Sequence, residues 1–343
     1  MKNLDKLLNN STELEISDED RLVIFSDLHI GNGGSNDNFA RNRELFKSII
    51  TNYYLTKDFS LILNGDIEDL YKFSIEKVRD NNKDIYELFK EFKKKGKLYK
   101  IYGNHDFELS LHRDLNEDFP VLESLLIKYN DNKIFIYHGH QTASKLEQYS
   151  KIILFFNKLF LKTVNNPLIK MDNKKKYKTE VTAYKFSKEK KIISILGHTH
   201  RPLFESLSKH ESLKITLEHL IKSYVKGDEE KKQKIYPILS KYKEEYEKLN
   251  KNGNGYLKSS VYSDNLLVPC LFNSGSATGS GGITCIEIKK GKIYLAYWFD
   301  INRTQRYLNS YNVKIKKMGD TNYFKAILKK DSLEYLFTRI KLL

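Results

Sequence analysis

Histidines and carboxylates recur in five short stretches, each directly after an apolar run. These are Ser26-Asp27-Leu28-His29, Asn64-Gly65-Asp66, Gly103-Asn104-His105-Asp106, His138-Gly139-His140 and Gly197-His198-Thr199-His200. By chemistry they offer Asp27, His29, Asp66, Asn104, His138, His198 and His200: two carboxylates, one amide oxygen and four imidazoles. A mixed nitrogen and oxygen set suits borderline divalent ions such as Mn²⁺, Fe, Zn²⁺ or Co²⁺, whereas Ca²⁺ takes oxygen alone. None of the five stretches holds a cysteine, which argues against a structural zinc site. Seven donors exceed what one ion takes and suit two ions sharing a carboxylate. Such a pair, about 3.5–4 Å apart, activates a water between them and clamps the oxygens of a displacement at phosphorus. One His-x-His turn alone is a weak signal, no more than a loop that holds two histidines. The repetition of one construction at five strand ends makes the metal reading.

The elements that must hold these residues follow from the apolar runs. Leu22–Phe25, Leu61–Leu63, Lys97–Tyr102, Lys133–Tyr137 and Ile192–Leu196 each read as a short buried strand that stops at a motif. Helical patterns fall between them, from Arg41 to about Leu55 and from about Asp84 to Lys95. Strands alternating with helices predict an α/β core. Ligands of such sheets gather beyond the carboxyl ends of the strands, where all five motifs lie. After the fifth motif the pattern predicts a helix pair, Thr216–Lys226 and Glu229–Leu249. Strands follow over 266–272, 282–288 and 292–299, with a hairpin turn at Gly291-Lys292. The tail from Asn302 reads as mixed strand and helix.

Order and spacing of the five motifs resemble those of calcineurin-like metallophosphoesterases, over a stretch from about Arg21 to Pro202. The resemblance implies a four-layer αββα sandwich of two mixed sheets around a dinuclear site. It implies Asp27, His29, Asp66 and His200 on one ion, and Asp66 again, as the bridge, with Asn104, His138 and His198 on the other. His105 then lies beside the ions without binding them, free to hydrogen-bond a phosphoryl oxygen or to protonate the leaving oxygen. Asp69 matches the carboxylate that orients this histidine in the protein-phosphatase branch. The mechanism expected is in-line attack by a metal-bridging hydroxide on a phosphoric ester, with two divalent ions, Mn²⁺ first among them, as cofactors. His140 and Arg201 are expected at the substrate, and Arg41, Arg43 and Arg113 are further candidate phosphate contacts. Glu68 and Asp106 are carboxylates for the surroundings of the ions. The chain departs from the Ser/Thr phosphatases: no Arg follows the second-motif Asp, the third motif ends in Asp106 rather than Glu, and the fourth is not His-Gly-Gly. The substrate expected is a small phosphate ester or nucleotide-like molecule.

The chain has 343 residues, taken as one phosphoesterase domain, 1–343, with a cap-like insertion at 141–190 and a helical one at 208–251. The first insertion holds an apolar helix candidate, Tyr149–Leu161, that could touch acyl chains or a membrane surface, and then a basic run, Lys174–Lys178, read as a solvated loop. This insertion is similar to the cap of the UDP-diacylglucosamine hydrolases, a rival reading, although those enzymes carry Arg where His105 stands. The net charge of +15 is mostly lysine and scattered. A nuclease is therefore a weaker rival, and nucleic acid is not favoured as partner. A binding scaffold that has lost turnover is the non-enzyme rival, and the intact motifs argue against it. No stretch approaches the ~18 apolar residues of a spanning helix, and the first twenty residues lack a secretion signal. With two cysteines in apolar surroundings, the expected compartment is the cytoplasm.

Overall fold

Strand β2 (Arg21–Phe25) lies at the middle of an eight-stranded sheet in the computed structural model, which describes residues 2–111, 119–143, 173–204, 209–251, 268–308 and 313–343. Before it come helix α1 (Lys2–Asn9) and strand β1 (Thr12–Ile16). After it, α2 (Arg43–Ile49) leads to β3 (Ser60–Asn64), and α3 (Ile75–Asn81) with α4 (Lys83–Lys94) leads to β4 (Leu98–Ile101). Strands β5 (Val121–Leu122), β6 (Leu125–Tyr129) and β7 (Asn132–Ile136) follow. Helix α5 (Asn173–Lys190) precedes β8 (Ile193–Leu196) and β9 (Leu203–Phe204).

By its internal contacts the chain divides into two units: 1–204 with 270–341, and 205–269 with 342–343. The second unit contains the helix pair α6 (Lys209–Val225) and α7 (Glu229–Lys251), packed on each other. Asp228 caps α7 by accepting the Lys231 amide at 2.9 Å. The first unit resumes with β10 (Leu271–Asn273), β11 (Ile283–Lys289), β12 (Lys292–Asp300), β13 (Ile315–Lys317) and β14 (Tyr323–Ser332), and ends in α8 (Leu333–Leu342).

Both sheets are mixed. The larger runs β13-β14-β12-β11-β2-β3-β4-β5 and the smaller β1-β6-β7-β8-β10-β9. Strands β2, β3, β4 and β5 are mutually parallel, and β2 pairs antiparallel with β11. In the smaller sheet β7, β8 and β10 are parallel. The central strands are apolar on both faces because both faces are covered, as parallel sheets require. One covering layer is α2 and α4, whose Phe46, Phe89 and Phe92 pack with Val23, Phe25, Leu61 and Leu63 of the sheet. In α4 the buried Ile85, Tyr86, Phe89 and Phe92 recur at helical spacing. At the other sheet α5 lies against β8 and β10.

The five expected strands are present with boundaries within two residues. Three differences have physical causes. The stretch Arg41–Leu55 is not one uniform helix: after α2 it widens into a π-turn over Ile50–Leu55. The wider turn lets the adjacent Tyr53 and Tyr54 both reach the sheet, where Tyr54 donates to Glu287 (2.8 Å) and Tyr53 accepts from Lys325 (2.9 Å). The basic run Lys174–Lys178, read as a loop, instead opens α5; lysine is a good helix former and no Gly or Pro interrupts Asn173–Lys190. The hairpin turn of β11–β12 is centred on Lys290 and Gly291, both at positive φ, one residue earlier than expected. Tyr149–Leu161 and Arg113 lie outside the described residues. No described helix is long and apolar enough to cross a membrane.

Candidate metal centre

Strands from both sheets end at one place. Asp27 and His29 follow β2, Asp66 follows β3, and Asn104 and His105 follow β4, all from the larger sheet; His138 follows β7 and His198 and His200 follow β8, from the smaller. Side chains sew the two sets of ends together. The Asn64 amide donates to the Tyr137 carbonyl (3.2 Å), and Ser26 and Ser274 share a hydroxyl hydrogen bond of 2.7 Å.

Two donor groups built on Asp66 result, beside a third of His29, Asp69 and His105. In the first, ligand atoms of Asp27, His29, Asp66 and His200 all lie within 4.8 Å of one another; in the second, those of Asp66, His138 and His198 do. The groups share Asp66. Its Oδ2 is 3.2 Å from His138 Nε2 and 3.8 Å from His29 Nε2, while Asp27 Oδ1 is 3.1 Å from His200 Nε2. Asn104 sits in the loop that wraps Asp66, whose Oδ1 accepts the backbone amide of the next residue, His105, at 2.7 Å.

Several observations test whether this set fits divalent ions. Two imidazole nitrogens, His29 Nε2 and His200 Nε2, face each other at 3.1 Å. The buried atoms Asn104 Oδ1 and His29 Nδ1 have no hydrogen-bond partner, although orphaned buried polar atoms are costly. His138 donates Nδ1–H to the Asn64 carbonyl at 2.8 Å, which fixes the tautomer that leaves Nε2 open toward Asp66. The donor set fits.

Electrostatics point the same way. Burial opposes ionisation of Asp27, but the imidazoles of His200 and His138 outweigh it and hold the carboxyl below its ordinary range. Asp66 is buried too, and His138 and His105 hold it well below that range. Burial opposes a proton on His138, yet Asp66 and then Asp27 raise it to about 9. Ionised carboxylates that stabilise a proton on His138 would stabilise a metal cation in its place. His29 is pushed down to about 3, first by burial and then by His105, so it is a neutral imidazole ready to ligate.

The backbone is strained at the same residues. Nine described non-glycine residues have φ in the left-handed region, and five of them are Asp27, His29, Asp66, His198 and His200. Each such residue costs of the order of 1–3 kcal/mol and persists only where its surroundings over-determine it.

His105 is half-buried beside the donors. Its Nδ1 is 2.9 Å from Asp69 Oδ1, whose other oxygen meets Lys72 at 2.7 Å. The His105 ring packs edge-on to His29, with centroids 4.5 Å apart, and against Tyr71 at 4.2 Å. Burial opposes protonation of His105, but the charge of Asp66 and the hydrogen bond His105 donates to Asp69 raise its pKa above the ordinary value. His140 is half-buried with its ring 5.7 Å from that of His138 and 6.4 Å from that of His198. Arg201 is exposed and held by a fork of hydrogen bonds to the buried Glu180, which also accepts the Thr199 hydroxyl at 2.9 Å. Glu68 turns away from the donors, accepting Lys100 Nζ at 2.5 Å and the Tyr86 hydroxyl at 2.7 Å. Asp106 closes its own turn onto the Gly103 amide and also accepts the Ile67 amide at 2.7 Å, clipping the third motif to the second. Sequence reasoning did not single out Tyr71, Glu180 or the role of the Asn64 carbonyl. Only Tyr71 had a signal, an aromatic two positions beyond Asp69.

A family model of calcineurin-like phosphoesterases matches residues 20–202. Among solved structures, the chain is similar to a single mutant of Vps29 from Entamoeba histolytica, with 11% identity and TM-score 0.36, covering 82% of this chain and 93% of that one. It is similar to a predicted phosphoesterase from Streptococcus pneumoniae TIGR4, with 11% identity and TM-score 0.30, covering 81% and 88%. It is also similar to a dimetal phosphatase from Danio rerio, with 12% identity and TM-score 0.30, covering 59% and 78%. No curated protein matches.

Proposed function

The chain belongs to the calcineurin-like phosphoesterase family, and we propose that it is a dinuclear enzyme hydrolysing a phosphomonoester or phosphodiester by direct in-line displacement. The observation that carries this reading is the pair of adjoining donor groups sharing Asp66. Asp27, His29, Asp66 and His200 hold one divalent ion; Asp66, Asn104, His138 and His198 hold the second, and Mn²⁺ is the ion we assign to this nitrogen and oxygen set. When bound, the two ions supply an activated water and neutralise charge on the non-bridging phosphoryl oxygens.

The chain's own residues do the rest. Asp69 accepts from His105 Nδ1–H and stabilises the imidazolium, so that Nε2–H is the proton given to the leaving oxygen. Tyr71 and His29 hold the His105 ring between them. His140 lies beside His138 and His198, where it can donate to a phosphoryl oxygen, and Arg201, braced by Glu180, contacts the substrate from the rim. The helix pair 209–251 contributes no donor, and we assign it no chemistry. Cys270 and Cys285 are buried and unpaired, in keeping with a reducing cytoplasm. A scaffold without turnover has no use for the His105–Asp69 pair.

Metal analysis of wild type, Asp66→Asn and His105→Ala, with turnover of p-nitrophenyl phosphate and bis-p-nitrophenyl phosphate, tests the reading. Asp66→Asn should lose at least one ion. His105→Ala should keep both and lose about 10²–10⁴-fold in turnover. Turnover retained by both variants refutes the mechanism.

A further inference from the structure

The loop 276–282, between β10 and β11, borders the metal centre on one side and a separate cavity on the other. Its Ala277 amide donates to the Asp27 carbonyl at 3.2 Å, and the Asn42 side chain pins it by donating to the carbonyls of Ala277 (2.7 Å) and Gly279 (2.8 Å). Beyond the pin lies a cavity of about 300 Å³ whose lining includes Arg41, Ser280, Arg303, Thr304 and Tyr323. That is room for a single small group.

Arginine is concentrated at this cavity. The chain carries 59 Lys and Arg, of which only nine are arginine. Two of the nine line the cavity, and a third, Arg306, lies beside Gly281 of the same loop. Arg303 Nη1 donates to the Arg41 carbonyl at 2.7 Å, and none of the three guanidinium groups has a carboxylate partner among the described residues. The amides of Ser280 and Gly281 likewise donate to no described residue. Two carboxylates also line the cavity, but both are engaged: Glu44 by Arg43, and Asp300 by the Asn302 amide at 2.9 Å. Arginines without a described carboxylate partner and amides without a described acceptor, around one hollow, are the chemistry that binds a phosphate.

Its position gives the site a role. The cavity lies where β11 begins and β12 ends, the same end of the sheet at which β2 delivers Asp27. Two strand spacings separate β2 from β12, roughly 10 Å. We propose that the cavity is an anion subsite for a second phosphate of the substrate, so that the preferred substrate is a phosphoester bearing a further phosphate about one nucleoside away from the ester attacked. The link to turnover rests on the phosphoesterase reading above; binding at the cavity does not.

The test pairs equilibrium binding with turnover. Thymidine 3′,5′-bisphosphate and thymidine 5′-phosphate are titrated calorimetrically into metal-loaded wild type, Arg303→Gln and the Arg41→Gln/Arg303→Gln double variant. The extra phosphate should tighten binding to wild type about tenfold, the worth of a charge-assisted hydrogen bond. The double variant should erase the difference, and Arg303→Lys should keep part of it, which separates lost charge from misfolding. In parallel, kcat/KM is compared for the p-nitrophenyl ester of thymidine 5′-phosphate with and without a 3′-phosphate, and wild type should favour the former by a similar factor. No tightening in wild type, or tightening unaltered in the double variant, overturns the subsite even if the enzyme turns over every ester. Tightening erased by the substitutions in a protein that hydrolyses none of the esters upholds the anion site and overturns the phosphoesterase reading.

Discussion

Replacing Asp69 with Asn keeps the shape of a fully buried side chain and removes its charge. In the native protein Asp69 Oδ1 stands 2.9 Å from His105 Nδ1, and Lys72 engages the other oxygen at 2.7 Å. A hydrogen bond to a charged partner contributes about 1.5–3 kcal/mol, and about 1.4 kcal/mol is tenfold in rate. Lys72 offsets part of the Asp69 charge, so the lower end applies, and kcat should fall about 10- to 30-fold. The sign of the pH effect follows from the raised pKa of His105. Burial opposes the imidazolium, while Asp66 and Asp69 outweigh burial and keep it protonated above the ordinary histidine value. The protonated form is the acid, so activity declines as pH rises through that raised value. In Asp69→Asn the decline should begin at lower pH. The assay compares p-nitrophenyl with phenyl esters across pH, because p-nitrophenolate departs without a proton and phenolate does not. The loss should be concentrated on the phenyl ester, and Asp69→Asn should add nothing in a His105→Ala background. An equal loss on both esters, or an unmoved alkaline limb, sinks the assignment of His105 as acid.

Glu287→Gln leaves the nearly buried Lys325 ammonium without its counter-charge and should destabilise the fold by about 3–5 kcal/mol in urea denaturation. Burial opposes ionisation of Glu287, but Lys325 and Lys289 outweigh it and depress the pKa. Its contribution is therefore complete above the ordinary carboxylate range and lost as pH falls through the depressed value, and Glu287→Gln should flatten the acid limb of the wild-type stability curve. Gly65→Ala places a methyl group 2.4 Å from His138 Nδ1, well inside van der Waals contact, at a φ of +80°. It should expel the ion on the His138 side, read by metal analysis, with the far-UV spectrum unchanged.

The five strand ends were legible because strands buried on both faces leave uninterrupted apolar runs, and the motifs stop those runs abruptly. The division of strands between the sheets was not legible. β7 and β8 look like β2 and β3 in composition, and only three-dimensional pairing sends them to different sheets. β1 escaped notice for a different reason. Of Thr12–Ile16 only Ile16 is buried, and an edge strand with a solvated face carries little hydrophobic signal. Contacts between residues far apart in the chain, such as His138 with the Asn64 carbonyl or Arg201 with Glu180, leave no local trace at all.

The strain at the centre is likewise hidden in the sequence, and it bears on function independently of the motifs. Asp27, His29, Asp66, His198 and His200 take a backbone conformation that glycine adopts without cost and that Asp and His adopt more readily than most other residues. The fold around them holds that conformation at a cost of about 1–3 kcal/mol each. What glycine cannot offer is a donor atom. Residue types suited to ligation and a left-handed backbone therefore fall on the same five positions.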